Sequence, residues 1–395
     1  MSSLNQIPRR IILGPGPSSA HPRVLKALSS PVMGYLDPDY FSIIEEVEGL
    51  LKDTFKTSQR AFAIAGSGSA GMEAGFSSLL EEGDKILICE NGHFCERMVL
   101  MAKRLKLNVL TLNVEWGTAI DPVQVNEILK QHNDVKMVSS IHAETSTGVM
   151  NPIKQISEIS HQNGALFMVD CVTSLAGSEF RFDDWDIDYA YSGSQKCLAS
   201  PPGLSPVAIS NRALSTIEKR KTLPSSWYLD LSLIADYWGI EHKAHHTAPV
   251  NMIYGLRESL KLVFEEGLEV RWKRHKKLAS ALKKGLISMG LSLPINSKIA
   301  LDQLTVIEIP DGVNDEEFRL NLLRKYLIEI GRGLGRFQGK IWRVGLMGES
   351  CVPANVFALL QAFEELLSQT GHEFKKGDSL ATASKILSET SPLPY

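Results

Sequence analysis

Short apolar runs alternate with amphipathic stretches along residues 60–210 of this 395-residue chain. The runs have the length and composition of buried strands, and the stretches between them carry apolar residues at helical spacing. The predicted strands are 61–65, 85–89, 107–112, 135–141, 165–169, 189–191 and 207–209. The predicted helices between them are 72–80, 96–104, 123–129 and 153–161. This alternation predicts an α/β fold with a mainly parallel, seven-stranded sheet, and ligands in such sheets bind beyond the carboxyl ends of the strands.

The pattern beyond residue 254 predicts a second, smaller unit. Residues 254–292 have helical spacing and carry many charges, which we expect to form a solvated helix face around Arg271, Lys273, Arg274, His275, Lys276 and Lys277. A strand at 304–309, a helix at 315–326, a strand at 341–344 and a helix at 353–367 then predict a C-terminal α/β domain. The expected division is an N-terminal arm (1–20), a large domain (21–253), a small domain with its connecting helix (254–375) and a polar tail (376–395). We expect the tail to be poorly ordered, because Ser, Thr and Lys dominate it.

Composition narrows the class of protein without identifying it. Apolar residues make up 44% of the chain and charged residues 22%, as in ordinary globular proteins, and the net charge of −3 suggests neither a nucleic-acid partner nor a membrane-binding face. No apolar stretch approaches a membrane span, and neither a leader nor a peroxisomal C-terminal tripeptide is visible, so we expect a cytoplasmic protein. The five cysteines are widely spaced, which predicts reduced, buried thiols rather than disulfides or a zinc site.

One lysine and one aspartate supply the most informative chemistry. Lys196 ends a run of small residues just after a predicted strand, so it can reach into a site and form a Schiff base with an aldehyde, above all pyridoxal phosphate (PLP). By itself it is weak evidence, because most lysines are solvated surface charges. Asp170 ends the apolar run 166–169 and supplies the anion that keeps a pyridine nitrogen protonated. Together they predict a PLP site, although Asp170 alone would also suit a turn or a helix cap.

A run of small residues, Gly66-Ser67-Gly68-Ser69-Ala70, lies between a predicted strand and a predicted helix. Small residues let backbone N–H groups approach a phosphate, and the helix N-terminus favours the negative charge. A plain turn with a serine cap explains an isolated run of this kind equally well.

Several motifs in a fixed order resemble the class V (fold type I) PLP aminotransferases, and within them the alanine–glyoxylate and serine–pyruvate aminotransferase group. Around the lysine, the resemblance lies in Asp188, small residues at 192–194, Gln195-Lys196 and Gly203-Leu204-Ser205. The other matching stretches are Gly14-Pro15-Gly16-Pro17-Ser18, Gly66-Ser67-Gly68, Glu144-Thr145-Ser146-Thr147-Gly148, His245-His246-Thr247 and Trp342-Arg343-Val344-Gly345-Leu346. The resemblance implies a fold type I PLP transferase and a homodimer with its active sites at the interface.

The resemblance also implies roles for residues around the cofactor. Gly68, Ser69 and Gln195 would contact the phosphate, joined by Thr247 of the neighbouring subunit. Phe94 would stack on the ring, and the Thr145 hydroxyl would contact the cofactor. Val172 lies just after Asp170, and packing beneath the ring and a place in the core are equally consistent with its position. This chain departs from the group at Ser69, where many relatives have His, and at Ala244, where the best-known relatives have Tyr. We therefore expect altered contacts to the phosphate.

Arg343 is the candidate for substrate recognition, because a planar guanidinium pairs with an α-carboxylate through two hydrogen bonds. Its apolar strand disfavours a surface arginine. Gly16 is expected near the same carboxylate, and Tyr35 and Tyr228 are expected to shape the side-chain pocket. His93 is more plausible as a structural residue than as an acid or base.

The pair His245-His246 is not expected to bind a metal, because adjacent side chains on an extended strand point apart and no third ligand is apparent.

The resemblance implies a transaminase that moves the amino group of L-alanine or L-serine to glyoxylate or pyruvate. A ureidoglycine–glyoxylate aminotransferase remains open, and Asn251 and Tyr35 are positions where it would differ. A cysteine desulfurase is disfavoured, since residues 331–341 contain no cysteine and Cys351 follows Arg343. A scaffold protein that binds no PLP would require the lysine, aspartate and arginine to be vestigial.

Overall fold

A computed structural model of the chain describes residues 8–389 and has an α/β architecture. The strands are β1 (Ile11–Leu13), β2 (Arg60–Ala65), β3 (Lys85–Glu90), β4 (Asn108–Asn113), β5 (Val135–Ile141), β6 (Ala143–Glu144), β7 (Val149–Met150), β8 (Leu166–Asp170), β9 (Tyr189–Tyr191), β10 (Leu204–Ile209), β11 (Leu304–Glu308), β12 (Ile328–Arg332) and β13 (Ile341–Gly345). The helices are α1 (Pro22–Leu28), α2 (Pro38–Phe55), α3 (Gly68–Leu79), α4 (His93–Arg104), α5 (Pro122–Gln131), α6 (Ile153–Gln162), α7 (Asn211–Glu218), α8 (Leu231–Tyr237), α9 (Val250–Glu266), α10 (Leu268–Ser288), α11 (Asp315–Tyr326), α12 (Pro353–Ser368) and α13 (Asp378–Ser388).

The large sheet has seven strands in the order β2-β10-β9-β8-β5-β3-β4. Strands β4, β3, β5, β8 and β9 are parallel, whereas β10 runs antiparallel to both of its neighbours. The prediction of a mainly parallel seven-stranded sheet is confirmed. Strands β3, β5 and β8, at the centre of the sheet, are almost wholly buried, as expected when helices cover both faces.

The direction of the strands brings four chain segments to one edge of this sheet. Because β10 is antiparallel to both β2 and β9, those two strands share one direction, which is also that of β8 and β5. The loops that follow β2, β5, β8 and β9 therefore leave from the same edge. Asp170 ends β8, and the loop with Lys196 follows β9.

A second sheet of four strands, in the order β1-β12-β13-β11, forms the centre of the small domain. Residues 11–13 of the expected N-terminal arm pair with β12 in this sheet. Its core contains Trp342, whose ring stacks on Phe318 and meets Phe363 edge to face. The expectation of a poorly ordered tail is wrong for residues 378–388, which form α13 and bury Ala383 in this core. The C-terminal residues used to argue against a peroxisomal signal lie outside the described residues.

The charged stretch 254–292 also differs from the prediction. It consists of two helices that meet at Gly267, where φ is +88°. Arg271 and Arg274 are 6% and 5% exposed and His275 is fully buried, so the expectation of a solvated face is wrong for these three residues. Helical spacing alone could not reveal this, because both domains cover that face of α10.

All five cysteines are buried free thiols. Between residues 8 and 389, no helix is long and apolar enough to cross a membrane.

Candidate active site

A cavity of about 170 Å³ lies at the edge of the large sheet where β2, β5, β8 and β9 end. It brings together eight residues that the sequence predicted for the cofactor site, namely Gly68, Ser69, Phe94, Thr145, Asp170, Val172, Gln195 and Lys196. These residues come from five separate segments of the chain, which follow β2, β3, β5, β8 and β9. The shared direction of these strands brings the five segments to one edge of the sheet.

The Lys196 amine lines the cavity and has one close hydrogen-bond partner. Its Nζ donates to the carbonyl oxygen of Pro15 in the N-terminal arm. Gly16 has φ of +118°, and a Cβ atom there would lie 2.4 Å from Lys196 Nζ, so a side chain at residue 16 would occupy the space of the amine. Burial lowers the pKa of Lys196 to about 8, although the charge of Asp170 acts in the opposite direction. A lysine with this pKa has a substantial neutral fraction near pH 8, as a nucleophilic amine requires.

Asp170 is held by two hydrogen bonds at the end of β8. Its Oδ1 accepts from the backbone N–H of Val172 at 2.8 Å, and its Oδ2 accepts from the Tyr191 hydroxyl at 2.7 Å. Burial raises the pKa of Asp170 to about 6, while these two hydrogen bonds lower it. The carboxylate is thus ionised at neutral pH and ready to accept a hydrogen bond from a protonated ring nitrogen.

Tyr191 is a site residue that sequence reasoning missed. It belongs to the predicted strand 189–191, and its side chain is fully buried, as expected for a core tyrosine. The parallel pairing of β8 with β9 places it opposite Asp170. Only this register shows that the hydroxyl supports the carboxylate.

The other end of the cavity has the features of a phosphate site. Helix α3 begins here, and its N-cap residue Ser67 makes no side-chain capping bond to the first turn. A Cβ atom on Gly68 would lie 2.8 Å from Val172 Cγ2, so the absence of a side chain permits this close approach. Gln195 lines the same cavity, and its amide NH2 group can donate to a phosphate oxygen. Free backbone N–H groups at a helix N-terminus favour an anion.

Arg343 lies on β13 of the small domain and reaches the wall of the cavity. Its Nη1 donates to the Thr145 carbonyl oxygen at 3.2 Å and its Nε to that of Arg332 at 2.7 Å. Burial lowers the pKa of Arg343 to about 10, and the nearby Glu144 raises it. The guanidinium remains charged at neutral pH and retains unused N–H donors.

Glu144 is a second residue whose importance the sequence did not reveal. It is fully buried, and its Oε1 accepts from both the backbone N–H of Ser146 (2.8 Å) and the Ser146 hydroxyl (2.7 Å). A Cβ atom on Gly92 would lie 2.4 Å from Glu144 Cγ, so Gly92 allows the turn before Phe94 to pack against it. Burial raises the pKa of Glu144. The motif that contains Glu144 was recognised, but burial of the carboxylate depends on the tertiary fold.

Some predicted residues lie outside the cavity lining within this single chain. Tyr35 packs against the large core, and its carbonyl oxygen accepts from the Tyr237 hydroxyl. Thr247 and Tyr228 are exposed, and His93 lies beside Glu96, with 3.3 Å between Nδ1 and Oε2. Asn251 donates to the carbonyl oxygens of Leu28 and Ser30.

The prediction that His245 and His246 point apart is wrong. Their Nδ1 atoms are 3.0 Å apart, and His245 Nε2 lies 3.0 Å from the Trp227 carbonyl oxygen. This part of the chain is not an extended strand, so the alternation of side chains does not apply. Throughout residues 8–389, no group of three or more His, Cys, Asp or Glu residues is arranged to hold a metal ion.

Comparison with known proteins identifies the family. The profile of the class V aminotransferases matches residues 40–335. The chain belongs to the class V aminotransferase family. It is 38% identical to the (S)-ureidoglycine–glyoxylate transaminase of Bacillus subtilis (strain 168) over 95% of both chains, and 37% identical to the alanine–glyoxylate aminotransferase of Rattus norvegicus over 91% of this chain and 88% of the relative.

Solved structures agree with this assignment. The ureidoglycine–glyoxylate aminotransferase of Bacillus subtilis superposes with a TM-score of 0.94 at 39% identity, covering 96% of this chain and 98% of that one. The alanine–glyoxylate aminotransferase of Nostoc sp. gives a TM-score of 0.91 at 40% identity, covering 93% and 97%. A cysteine desulfurase from Thermococcus onnurineus is only 16% identical and shows the shared fold alone.

The protein is therefore an aminotransferase with the fold type I architecture, and PLP is its cofactor. The residues of the cavity fit PLP at three of its functional groups. Lys196 suits the aldehyde, Asp170 suits the ring nitrogen, and the first turn of α3 with Gln195 suits the phosphate.

Proposed function

We propose that this aminotransferase moves the amino group of a small L-amino acid, alanine or serine, to a short 2-oxo acid, glyoxylate or pyruvate. The observation that carries the proposal is the meeting of three groups at one cavity. Lys196 and the buried Asp170 line it, and Arg343 reaches its wall through the Thr145 carbonyl. The relatives named above share glyoxylate as a substrate, which supports this acceptor.

Each residue would then have a defined task. Lys196 would hold the cofactor through its amine and, as a neutral amine, would move a proton at the substrate Cα. Arg343 binds the α-carboxylate and so orients the Cα–H bond. Asp170 keeps a proton on the ring nitrogen, with its own position fixed by Tyr191. When bound, PLP supplies the electron sink that makes the Cα proton acidic.

The decisive experiment measures the visible absorption of the PLP-loaded protein before and after L-alanine or L-serine is added without an acceptor. We expect the band of bound PLP to disappear, and glyoxylate or pyruvate to restore it. Steady-state kinetics should be ping-pong. Lys196→Ala should abolish turnover, and near-normal activity in this variant would contradict the mechanism.

Ureidoglycine is the second candidate donor, because the Bacillus subtilis relative carries that substrate in its name and aligns over nearly the full chain. The same spectroscopic experiment separates the two proposals. A PLP band that persists with alanine and serine but disappears with ureidoglycine would favour the second. A protein that takes up no PLP would contradict both.

We further propose a cytoplasmic homodimer in which the segment around Thr247 completes the partner's active site. Support comes from exposed apolar side chains on the segment before Thr247, with Leu223 at 90% and Ile240 at 99% exposure, together with Trp227 and Tyr228. We also propose the domain boundaries given above, amended by the pairing of residues 11–13 with the small-domain sheet.

A further inference from the structure

Four buried or nearly buried polar residues form a cluster where α9 meets α10. Glu266 ends α9, and its side chain is 14% exposed. Arg271 Nη1 donates to Glu266 Oε2 at 2.6 Å, while Arg274 Nε and Nη2 donate to the two carboxylate oxygens at 2.5 and 2.9 Å. His275 is fully buried beside them. Burial of such charges carries a desolvation penalty. The other hydrogen bonds of these residues show which parts of the protein the cluster holds.

The first of those bonds leads to the catalytic lysine. Arg271 Nη2 donates to the carbonyl oxygen of Cys197, the residue after Lys196, at 2.8 Å. The neighbouring carbonyls are also bound, that of Lys196 by the Ser18 hydroxyl (2.7 Å) and that of Leu198 by the Ser259 hydroxyl. The backbone that carries Lys196 is therefore held by side chains from three distant segments of the chain.

The second set of hydrogen bonds leads to the loop that follows β13, the strand that carries Arg343. Arg274 Nη1 donates to the carbonyl oxygens of Gly348 (3.2 Å) and Cys351, both in the loop that follows β13. The backbone N–H of Gly348 donates to His275 Nε2 at 3.1 Å, so His275 is neutral and donates from Nδ1 to the Arg271 carbonyl oxygen (2.8 Å). Strand β13 carries Arg343, five residues before Gly348.

Gly348 also packs against the lysine segment directly. Its φ is +52°, and a Cβ atom there would lie 3.0 Å from the Cys197 carbonyl oxygen and 2.7 Å from Ala199 Cβ. One small cluster thus binds both loops at the point where they touch.

We propose that Glu266, Arg271 and Arg274 are positioning residues that set the distance between the Lys196 amine and the Arg343 guanidinium. Lys196 belongs to the large domain and Arg343 to the small domain. Arg343 would hold the carboxylate of the substrate. The distance between the two residues then decides whether the substrate amino group reaches the cofactor at Lys196. This inference rests on the proposed roles of those two residues.

The geometry requires arginine rather than lysine at residue 271. One guanidinium bonds Glu266 through Nη1 and the Cys197 carbonyl through Nη2, and an ammonium group, as a compact point charge, cannot reproduce this fixed fork. Arg271→Lys should therefore restore only part of what Arg271→Met removes.

The test compares Arg271→Met and Arg271→Lys with Arg257→Met. Arg257 lies on α9 and pairs with Glu46 (Nε to Oε2, 2.6 Å), so its loss removes an ion pair that touches neither loop. We expect Arg271→Met to slow uptake of PLP by the cofactor-free protein. With saturating L-alanine, single-turnover loss of the visible band should slow about 10- to 100-fold. The half-saturating alanine concentration should change far less, because Arg343 is intact.

Arg257→Met should leave both rates at the wild-type value. Equal losses of thermal stability in Arg271→Met and Arg257→Met, with wild-type rates in both, would show that the cluster is merely structural and overturn the inference. If Arg271→Met does not fold, Glu266→Gln replaces it in the test. This variant retains both arginines but weakens their hydrogen bonds to residue 266, and its rates and thermal stability are compared with those of Arg257→Met in the same way. A wild-type protein that forms no visible band with PLP would instead contradict the proposed function.

Discussion

Two opposite charges determine the chemistry of the site at the scale of single residues. Burial disfavours both the ammonium of Lys196 and the carboxylate of Asp170, which lowers the pKa of the first to about 8 and raises that of the second to about 6. Each charge partly offsets the effect of burial on the other. The pKa of the lysine therefore depends on the aspartate.

We predict that the rate of PLP uptake by the cofactor-free protein rises with pH, with a midpoint near 8, because the neutral amine of Lys196 is the nucleophile. An unperturbed lysine would give a midpoint near its ordinary value of 10.5. Asp170→Asn should lower the midpoint, since it removes the anion that stabilises the ammonium. The measurement is stopped-flow absorption between pH 6 and about 10. A midpoint that rises in Asp170→Asn would contradict the electrostatic coupling.

Tyr191→Phe should destabilise the cofactor-free protein by about 1–3 kcal/mol, since it removes a hydrogen bond from a buried carboxylate. The pKa of Asp170 is raised in the folded protein, so the folded state binds more protons than the unfolded state and stability falls as pH rises from about 4 to about 6. The Tyr191 hydroxyl stabilises the ionised carboxylate of Asp170 more than its protonated form. The loss of stability in Tyr191→Phe should therefore be larger at pH 8 than at pH 5.

Tyr189→Phe is the matched control for this prediction. Tyr189 lies on the same strand, is fully buried, and donates to the uncharged carbonyl oxygen of Gly71 at 2.8 Å. Its loss should cost a similar amount at both pH values, as urea or thermal unfolding would measure. An equal pH dependence in the two variants would contradict the role given to Tyr191.

The start of α3 matters most at the scale of secondary-structure elements. Its first turn lines the cavity, and Gly68 in that turn packs against Val172 and the carbonyl of Ser192. The packing of Gly68 therefore decides where the helix N-terminus lies and whether it can bind an anion in the cavity. The helix presents its N-terminus only because β2 ends at the same edge as β8 and β9.

Gly68→Ala should weaken PLP binding about tenfold or more, because a Cβ 2.8 Å from Val172 Cγ2 forces the helix away from the cavity at a cost of about 1–3 kcal/mol. Titration of the visible band measures the affinity. Gly49→Ala is the control, since a Cβ there meets nothing within 4 Å on helix α2. It should stabilise the helix by about 0.5–1 kcal/mol and leave PLP affinity unchanged. Wild-type affinity in Gly68→Ala would show that the first turn does not bind the phosphate.

At the scale of the whole molecule, exposed apolar residues concentrate on the chain between α7 and α9. Leu223 and Ile240 are 90% and 99% exposed there, more than any other large apolar side chain among residues 8–389. Exposure of this kind is typical of a subunit interface.

If the proposed dimer uses this surface, the variant with both Leu223→Glu and Ile240→Glu should be monomeric at concentrations where the wild type associates, because buried glutamates oppose association. Analytical ultracentrifugation measures the change, and PLP affinity should fall with it if Thr247 of the partner completes the site. Val123→Glu, at a 61% exposed position on α5, should remain dimeric. Loss of the dimer in Val123→Glu as well would show that added charge rather than this surface is responsible.

The sequence by itself determined the alternation of strands and helices, because apolar periodicity reflects burial within each element. It therefore predicted the seven-stranded sheet and the strand ends that carry Asp170 and Lys196. Motifs at those ends, with the family resemblance, predicted eight of the residues that line the cavity. Local patterns carried this information, since each motif is defined by neighbours in the chain.

Tertiary structure alone decided which polar residues are buried and what they hold. Tyr191 appeared to be a core tyrosine until the register of β8 and β9 placed its hydroxyl on Asp170. Arg271 and Arg274 appeared to be surface charges until two domains enclosed them. Contacts of this kind join residues far apart in the chain, and hydrophobic periodicity contains no information about the partner of a polar group. The sequence thus determined which chain segments carry the reactive residues. The packing of the two domains decided which buried polar groups hold those residues in position.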